Sequence, residues 1–225
     1  MALLLDNDVV HKLAQLDLLM DASKLLRKEF GGLKILDTLK FKFCPKPEDT
    51  AKRAKAEKKY GVVVVKRIDD FLHSGISEIS QAVQDTDLMN AMISDEDLDT
   101  GEMQLLQALF DEKEQLLFTG DKRFLKALAE TELLSDRLTD IQEKFVCLEQ
   151  LMCFLIKNLS FTVINGKFVG AVNSQTPLLD TTLRVCFGSK RENAIENEVI
   201  ENLVNEIGHL KKQTKNLLTN EGKFN

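Results

Sequence analysis

Three acidic side chains stand where an α/β chain keeps its chemistry. Asp6 closes the apolar run Leu3-Leu4-Leu5, and Asp121 follows Leu116-Leu117-Phe118-Thr119-Gly120. Glu102 opens an apolar helical pattern after Asp99-Thr100-Gly101. Acids at the carboxyl ends of parallel strands, or at the helix start beside them, meet on one edge of a sheet. Carboxylates so gathered repel one another unless a divalent cation neutralises them. An all-oxygen donor set suits Mg2+ or Mn2+, leaving water and a substrate phosphate to complete the octahedron. The reaction such a set supports is metal-assisted hydrolysis of a phosphodiester. Lys122 and Arg123 adjoin Asp121 and are suited to phosphate contact, although two basic residues at a helix start are exposed by default. The plainer alternative makes these acids helix caps: Asp8 for the first helix, and Asp99 or Thr100 for the helix that Glu102 opens.

The elements that must hold these residues follow from hydrophobic period. Ala2 to Leu5 reads as a buried parallel strand, followed by Val9, Val10, Leu13 and Leu16 at helical spacing. A helix over 23–30 stops at Gly31-Gly32, and 33–36 is a second strand. Pro45 and Pro47 break the chain before a charged helix that begins near Asp49. Residues 62–65 are all valine, which favours a strand, but Ile68, Phe71 and Leu72 continue a helical spacing, and helix is preferred there. Residues 76–92 read as another helix. Leu105, Leu106, Leu109 and Phe110 form the stripe of the Glu102 helix, 116–118 is a strand, and Phe124, Leu125 and Leu128 pack the helix after Asp121. A helix over 133–138, a strand at 144–148 and a helix over 149–158 follow. Asn165-Gly166 between two apolar runs predicts a β-hairpin over 161–169. A long helix from Glu192 to about residue 218 carries Val199, Leu203, Ile207 and Leu210 on one stripe.

Composition narrows the class. With 225 residues, 44% hydrophobic, 29% charged and no Trp, the chain buries one sizeable core. A formal net charge of −6 argues against gripping a duplex by overall positive charge, while leaving room for local basic surfaces. The basic run 52–59 reads first as a solvated helix face and second as a nucleic-acid contact. Cys44, Cys147, Cys153 and Cys186 have neither C-x-x-C spacing nor the density of a disulfide scaffold, so reduced and mostly buried thiols are expected. Neither a secretory signal nor a membrane span is legible, which makes the cytoplasm the expected compartment.

Asp6 after the first strand, Asp99-Thr100-Gly101-Glu102 before an apolar helix, and Leu-Phe-Thr-Gly-Asp-Lys ending at Asp121 resemble, in order and spacing, a PIN-domain nuclease. The resemblance covers about residues 1–155. It implies a three-layer α/β/α sandwich around a mainly parallel sheet, and a Mg2+- or Mn2+-dependent endoribonuclease site. Asp6, Glu102 and Asp121 would be its metal ligands and Thr119 its small polar residue. Many bacterial members are toxins of toxin–antitoxin pairs, and that role is implied by the resemblance alone. The family's further acid after the second strand has no counterpart in 38–43, where Lys40 and Lys42 stand; Asp99 or Glu78 would have to replace it. Residues 156–225, hairpin and long helix, form an expected C-terminal extension for a homodimer or protein partner. The alternative function is a catalytically weakened PIN-like interaction module that binds a protein or an RNA.

Overall fold

The computed structural model describes residues 2–44, 49–112, 115–188, 191–220, 222 and 224. The Pro45 and Pro47 break lies outside them. In chain order the elements are β1 (Ala2–Leu5), α1 (Asn7–Gln15), α2 (Leu19–Phe30), β2 (Gly32–Leu36), α3 (Thr38–Phe43), α4 (Thr50–Tyr60), α5 (Val62–Leu72) and β3 (Ser77–Ile79). There follow α6 (Thr86–Ser94), α7 (Thr100–Asp111), β4 (Leu116–Thr119), α8 (Lys122–Glu130), β5 (Phe145–Cys147), α9 (Leu148–Leu159), α10 (Phe161–Asn173), α11 (Thr181–Cys186) and α12 (Glu196–Gln213).

The five strands form one all-parallel sheet in the order β3-β2-β1-β4-β5. The protein is therefore α/β, and its strand order reverses direction between β1 and β4. Alternation along the central strands divides the core: Leu3, Leu5, Leu116 and Phe118 join one apolar cluster, Leu4 and Leu117 the other. Both faces of the sheet are thus covered, which explains why β1 and β4 are continuous apolar runs. No helix among the described residues is long and apolar enough to cross a membrane.

Several expectations are corrected. Residues 161–169 are not a hairpin but the first part of α10. Ile164, Phe168 and Ala171 are buried, recurring at i, i+4 and i+7, and a helical face outweighs the Asn165-Gly166 turn signal. The helix expected over 76–92 is a three-residue strand, β3, and a separate α6 capped by Asp85, whose Oδ1 accepts from the amides of Asp87 and Leu88. β3 is a sheet edge, and its exposed Ser77 and Glu78 leave no apolar alternation to read. Residues 133–138 contribute only short 3₁₀ turns rather than an α-helix. Helix α1 starts at Asn7, so Asp8 lies inside its first turn and is not its cap.

Residues 156–225 add to the core that the strands begin. Val199 and Leu203 of α12 belong to one cluster, Ile207 and Leu210 to the other, and α12 packs on α9. The apolar stripe of the long helix is therefore buried within the chain, although Val204 stays exposed. Beyond α12 the backbone runs along β5: Phe145 N donates to Leu217 O at 3.1 Å and Thr219 N donates to Phe145 O at 2.8 Å. Phe224 then enters the core, its ring 5.5 Å from Phe30, 5.2 Å from Phe154 and 5.6 Å from Phe118. Removing a fully buried ring leaves a cavity, so Phe224→Ala is expected to lower stability by about 3–5 kcal/mol. Urea denaturation would measure it, and a loss well under 1 kcal/mol would mean that the C-terminal segment only lies on a finished core.

Candidate active site at the β1–β4 edge

β1 and β4 end side by side at the point where strand order reverses, the place where open parallel sheets leave a crevice. Asp6 N donates to Phe118 O at 2.9 Å, carrying the ladder one residue past β1. The Asp6 carboxylate is left at the sheet edge, only 8% exposed. Buried Thr119 links it to the other strand end: its Oγ1 donates to Asp6 Oδ2 at 3.1 Å and accepts from Asp121 N at 3.1 Å. One hydroxyl thereby sets the positions of two acids that lie 115 residues apart in the chain.

Glu102 arrives from α7. Asp99 and Glu102 form a capping box: Asp99 Oδ1 accepts from Glu102 N at 2.8 Å, and Glu102 Oε2 accepts from Asp99 N at 2.9 Å. Capping therefore accounts for Glu102 as well as Asp99. Capping does not account for Glu102's surroundings. Burial pushes its carboxyl up to about 8, with the charges of Asp99, Asp6 and Asp121 adding to the rise and the Asp99 amide opposing it. Asp6 is pushed up to about 7, by burial first and Asp8 second, against the Thr119 hydrogen bond and the Lys42 charge. Asp121 caps α8, its Oδ1 accepting from Arg123 N at 2.8 Å and Phe124 N at 3.2 Å.

Asp6 and Asp121 thus lie on either side of Thr119, and Glu102 is close enough for its carboxyl to respond to both charges. Among the described residues, however, no three His, Cys, Asp or Glu side chains surround a common point ready to hold a metal. Glu102 and Asp121 are turned to backbone amides instead. The donor chemistry, carboxylates beside a hydroxyl, suits a hard divalent cation. Of the substitutes for the missing acid, Glu78 is paired with Lys40 at 2.6 Å and Asp99 is held in the capping box. Of the basic residues, Lys122 is engaged: its Nζ lies 2.7 Å from buried Glu149, 3.4 Å from Glu206 and 3.3 Å from Thr182 Oγ1. Arg123 is the exposed one, 3.7 Å from Asp97 and 4.0 Å from Asp121.

A second group at the same edge had no clear sequence signal. Lys12 Nζ is 2.7 Å from Asp8 Oδ2, 2.9 Å from Asp180 Oδ2 and 3.2 Å from the Gly120 carbonyl. Burial alone would lower the Lys12 pKa, yet the two carboxylates raise it overall, so the ammonium stays charged. Asp8 and Lys12 are an ordinary i,i+4 helix pair by sequence; Asp180 is brought in only by the fold. Gly120 makes room for them, since a Cβ there would stand 2.5 Å from Asp8 Oδ2 and 2.8 Å from Lys12 Nζ. Gly120→Ala is expected to push the ends of the Asp8 and Lys12 side chains aside, at a cost of up to about 1 kcal/mol in weakened ion pairing. Gly166→Ala, inside α10 and with no atom within 4 Å of the added Cβ, is the control and should stabilise by about 0.5–1 kcal/mol. Urea midpoints that move the same way in both variants would remove the steric role given to Gly120.

No family model, curated protein or solved structure matches the chain.

Proposed function

We propose that this chain is a divalent-metal-dependent endoribonuclease of the PIN-domain kind, a three-layer α/β/α fold that hydrolyses phosphodiester bonds of single-stranded RNA. One observation carries the reading. Buried Thr119, beside the reversal point of the sheet, joins the Asp6 carboxylate to the Asp121 amide, and Glu102 of α7 stands within electrostatic range of both acids. Their mutual repulsion is what a bound cation relieves.

In this reading Asp6, Glu102 and Asp121 would hold Mg2+ or Mn2+, for which Glu102 and Asp121 would have to turn from their capping amides. A cation held there would supply an activated water and neutralise charge on the phosphate. Thr119 orients the Asp6 carboxylate through its hydroxyl, and exposed Arg123 reaches the substrate phosphate. The test is Mn2+-dependent cleavage of a single-stranded RNA by the wild type against Asp6→Asn, with equal activity in both rejecting the site.

A second reading, a weakened module that binds RNA or protein without cutting, is favoured by one feature. Lys42, in the stretch where the family has an acid, bears on Asp6 instead. Metal-dependent binding of RNA with no cleavage by the wild type would select that reading.

A further inference from the structure

The charge of the chain is unevenly distributed. Residues 38–60 hold eight Lys and Arg against three Asp and Glu, in a protein whose formal net charge is −6. This stretch supplies α3 and α4, and α3 starts directly beside the acid edge. Asn7 Nδ2, next along the chain from Asp6, donates to Thr38 Oγ1 at 3.2 Å, and Asp37 N donates to Ile79 O at 3.0 Å. The inner side of α3 is anchored by Phe43, whose ring lies 5.1 Å from His11 and 4.7 Å from Tyr60 at the end of α4. These ring contacts join the two helices into one surface.

The outer side of that surface has the composition that single-stranded nucleic acid requires. Phe41 is 61% exposed, the one Phe or Tyr ring among the described residues left largely in solvent. Lys40 Nζ stands 5.4 Å from its centroid. Lys42, Lys55, Lys58 and Lys59 are exposed, and among the described residues none of them is within ion-pairing distance of a carboxylate. Lys40, the ammonium over the ring, is paired with Glu78, but an exposed ring on helices that also carry Lys42, Lys55, Lys58 and Lys59 offers a face for a base and counter-charges for the backbone. A duplex keeps its bases stacked inside and has no use for the ring. The acidic remainder of the protein repels a polyanion and narrows its approach to this side. Lys42 and Lys59 both act on buried His11, and Lys42 also acts on Asp6, so these two lysines lie within electrostatic range of the acid edge that Asn7 and Thr38 join to α3.

We infer that α3 and the basic side of α4 are the approach for single-stranded RNA, with a base stacked on Phe41 and phosphates beside Lys42 and Lys59. The strand's destination at Asp6 rests on the nuclease reading; the surface itself does not. The experiment therefore reads binding without cleavage. A fluorescein-labelled oligouridylate and an RNA duplex of equal length are titrated by anisotropy in EDTA over a range of salt.

Phe41→Ala is expected to weaken oligouridylate binding about tenfold and to leave duplex binding unchanged. Lys42→Ala and Lys59→Ala should each reduce the slope of log affinity against log salt by about 0.7. All three side chains are exposed or ride on exposed turns, and thermal melts confirm that each variant is folded. Unchanged oligouridylate affinity in Phe41→Ala, unchanged salt slopes in the lysine variants, or tighter binding of the duplex would overturn the inference. A wild type that binds through Phe41 yet does not cut with Mn2+ leaves this surface standing and rejects the nuclease reading.

Discussion

Asp6→Asn and Asp121→Asn are each expected to leave the protein folded and to reduce Mn2+-dependent cleavage of single-stranded RNA by about a thousandfold. The magnitude follows from the several kcal/mol of transition-state stabilisation that a correctly held cation provides. Folding should survive for local reasons. An asparagine at position 6 keeps an oxygen to accept from Thr119 Oγ1, the contact that Asp6 makes at 3.1 Å. It also removes a buried charge. An asparagine at 121 remains a good N-cap for α8, still able to accept from Arg123 N and Phe124 N. Glu102→Gln is the more demanding comparison, because glutamine preserves the reciprocal capping box with Asp99. If Glu102 only caps α7, Glu102→Gln cuts RNA as the wild type does; if it holds the ion, its rate falls with the other two. Thermal melts beside the cleavage assay separate these outcomes from unfolding.

The parts of this site that could be read in the sequence are those whose causes are local. β1 and β4 are buried on both faces, so Leu3-Leu4-Leu5 and Leu116-Leu117-Phe118 are unbroken apolar runs, and an acid at the end of each is conspicuous. The Asp99-x-x-Glu102 pattern is equally local, and its structural meaning as a capping box was available at the same time as its functional one. The rest depends on contacts between distant residues. Asp180 meets Lys12 across 168 positions, and no spacing rule connects them. Lys122 looked suited to phosphate until the fold placed buried Glu149 at 2.7 Å from its ammonium. β3 carries no sequence signal because a three-residue edge strand with two exposed polar side chains has no period. At 161–169 two signals competed, and the long-range one won: the turn preference of Asn165-Gly166 is small beside the burial of Ile164 and Phe168.

The metal-free protein is expected to lose stability as pH rises from about 6.5 to about 8, and Mn2+ to reverse the trend. Asp6 has its carboxyl raised from 3.8 to about 7 by burial and Asp8, and Glu102 from 4.5 to about 8 by burial and its acidic neighbours. Between those limits the folded state holds protons that the unfolded state has lost. Stability from these groups is therefore complete below the unfolded values and declines as pH climbs through the folded ones. His11 works in the opposite direction. Burial in its aromatic cage, with Lys42, Lys12 and Lys59 nearby, lowers it from 6.5 to about 4, so its contribution is lost as pH falls between those values. In the folded state the imidazole is neutral throughout the window, and in the unfolded state it loses its remaining protons by about pH 7.5, so its contribution there is a rise of under about 0.5 kcal/mol against the larger fall from the acids.

The loss over this window should be on the order of 1–2 kcal/mol, since one group on its full slope gives about 1.4 kcal/mol per pH unit. Asp6→Asn removes one group and relieves the repulsion on the other, so its stability should exceed that of the wild type at pH 8 and change less with pH. A divalent cation favours the ionised carboxylates, so the stabilisation by Mn2+ should grow over the same interval. Urea midpoints at both ends of the window, in EDTA and in Mn2+, measure all three effects. Flat stability in EDTA would mean that Asp6 and Glu102 are not held as buried, raised carboxyls inside the fold, and with that burial goes the gain a cation would bring by ionising them.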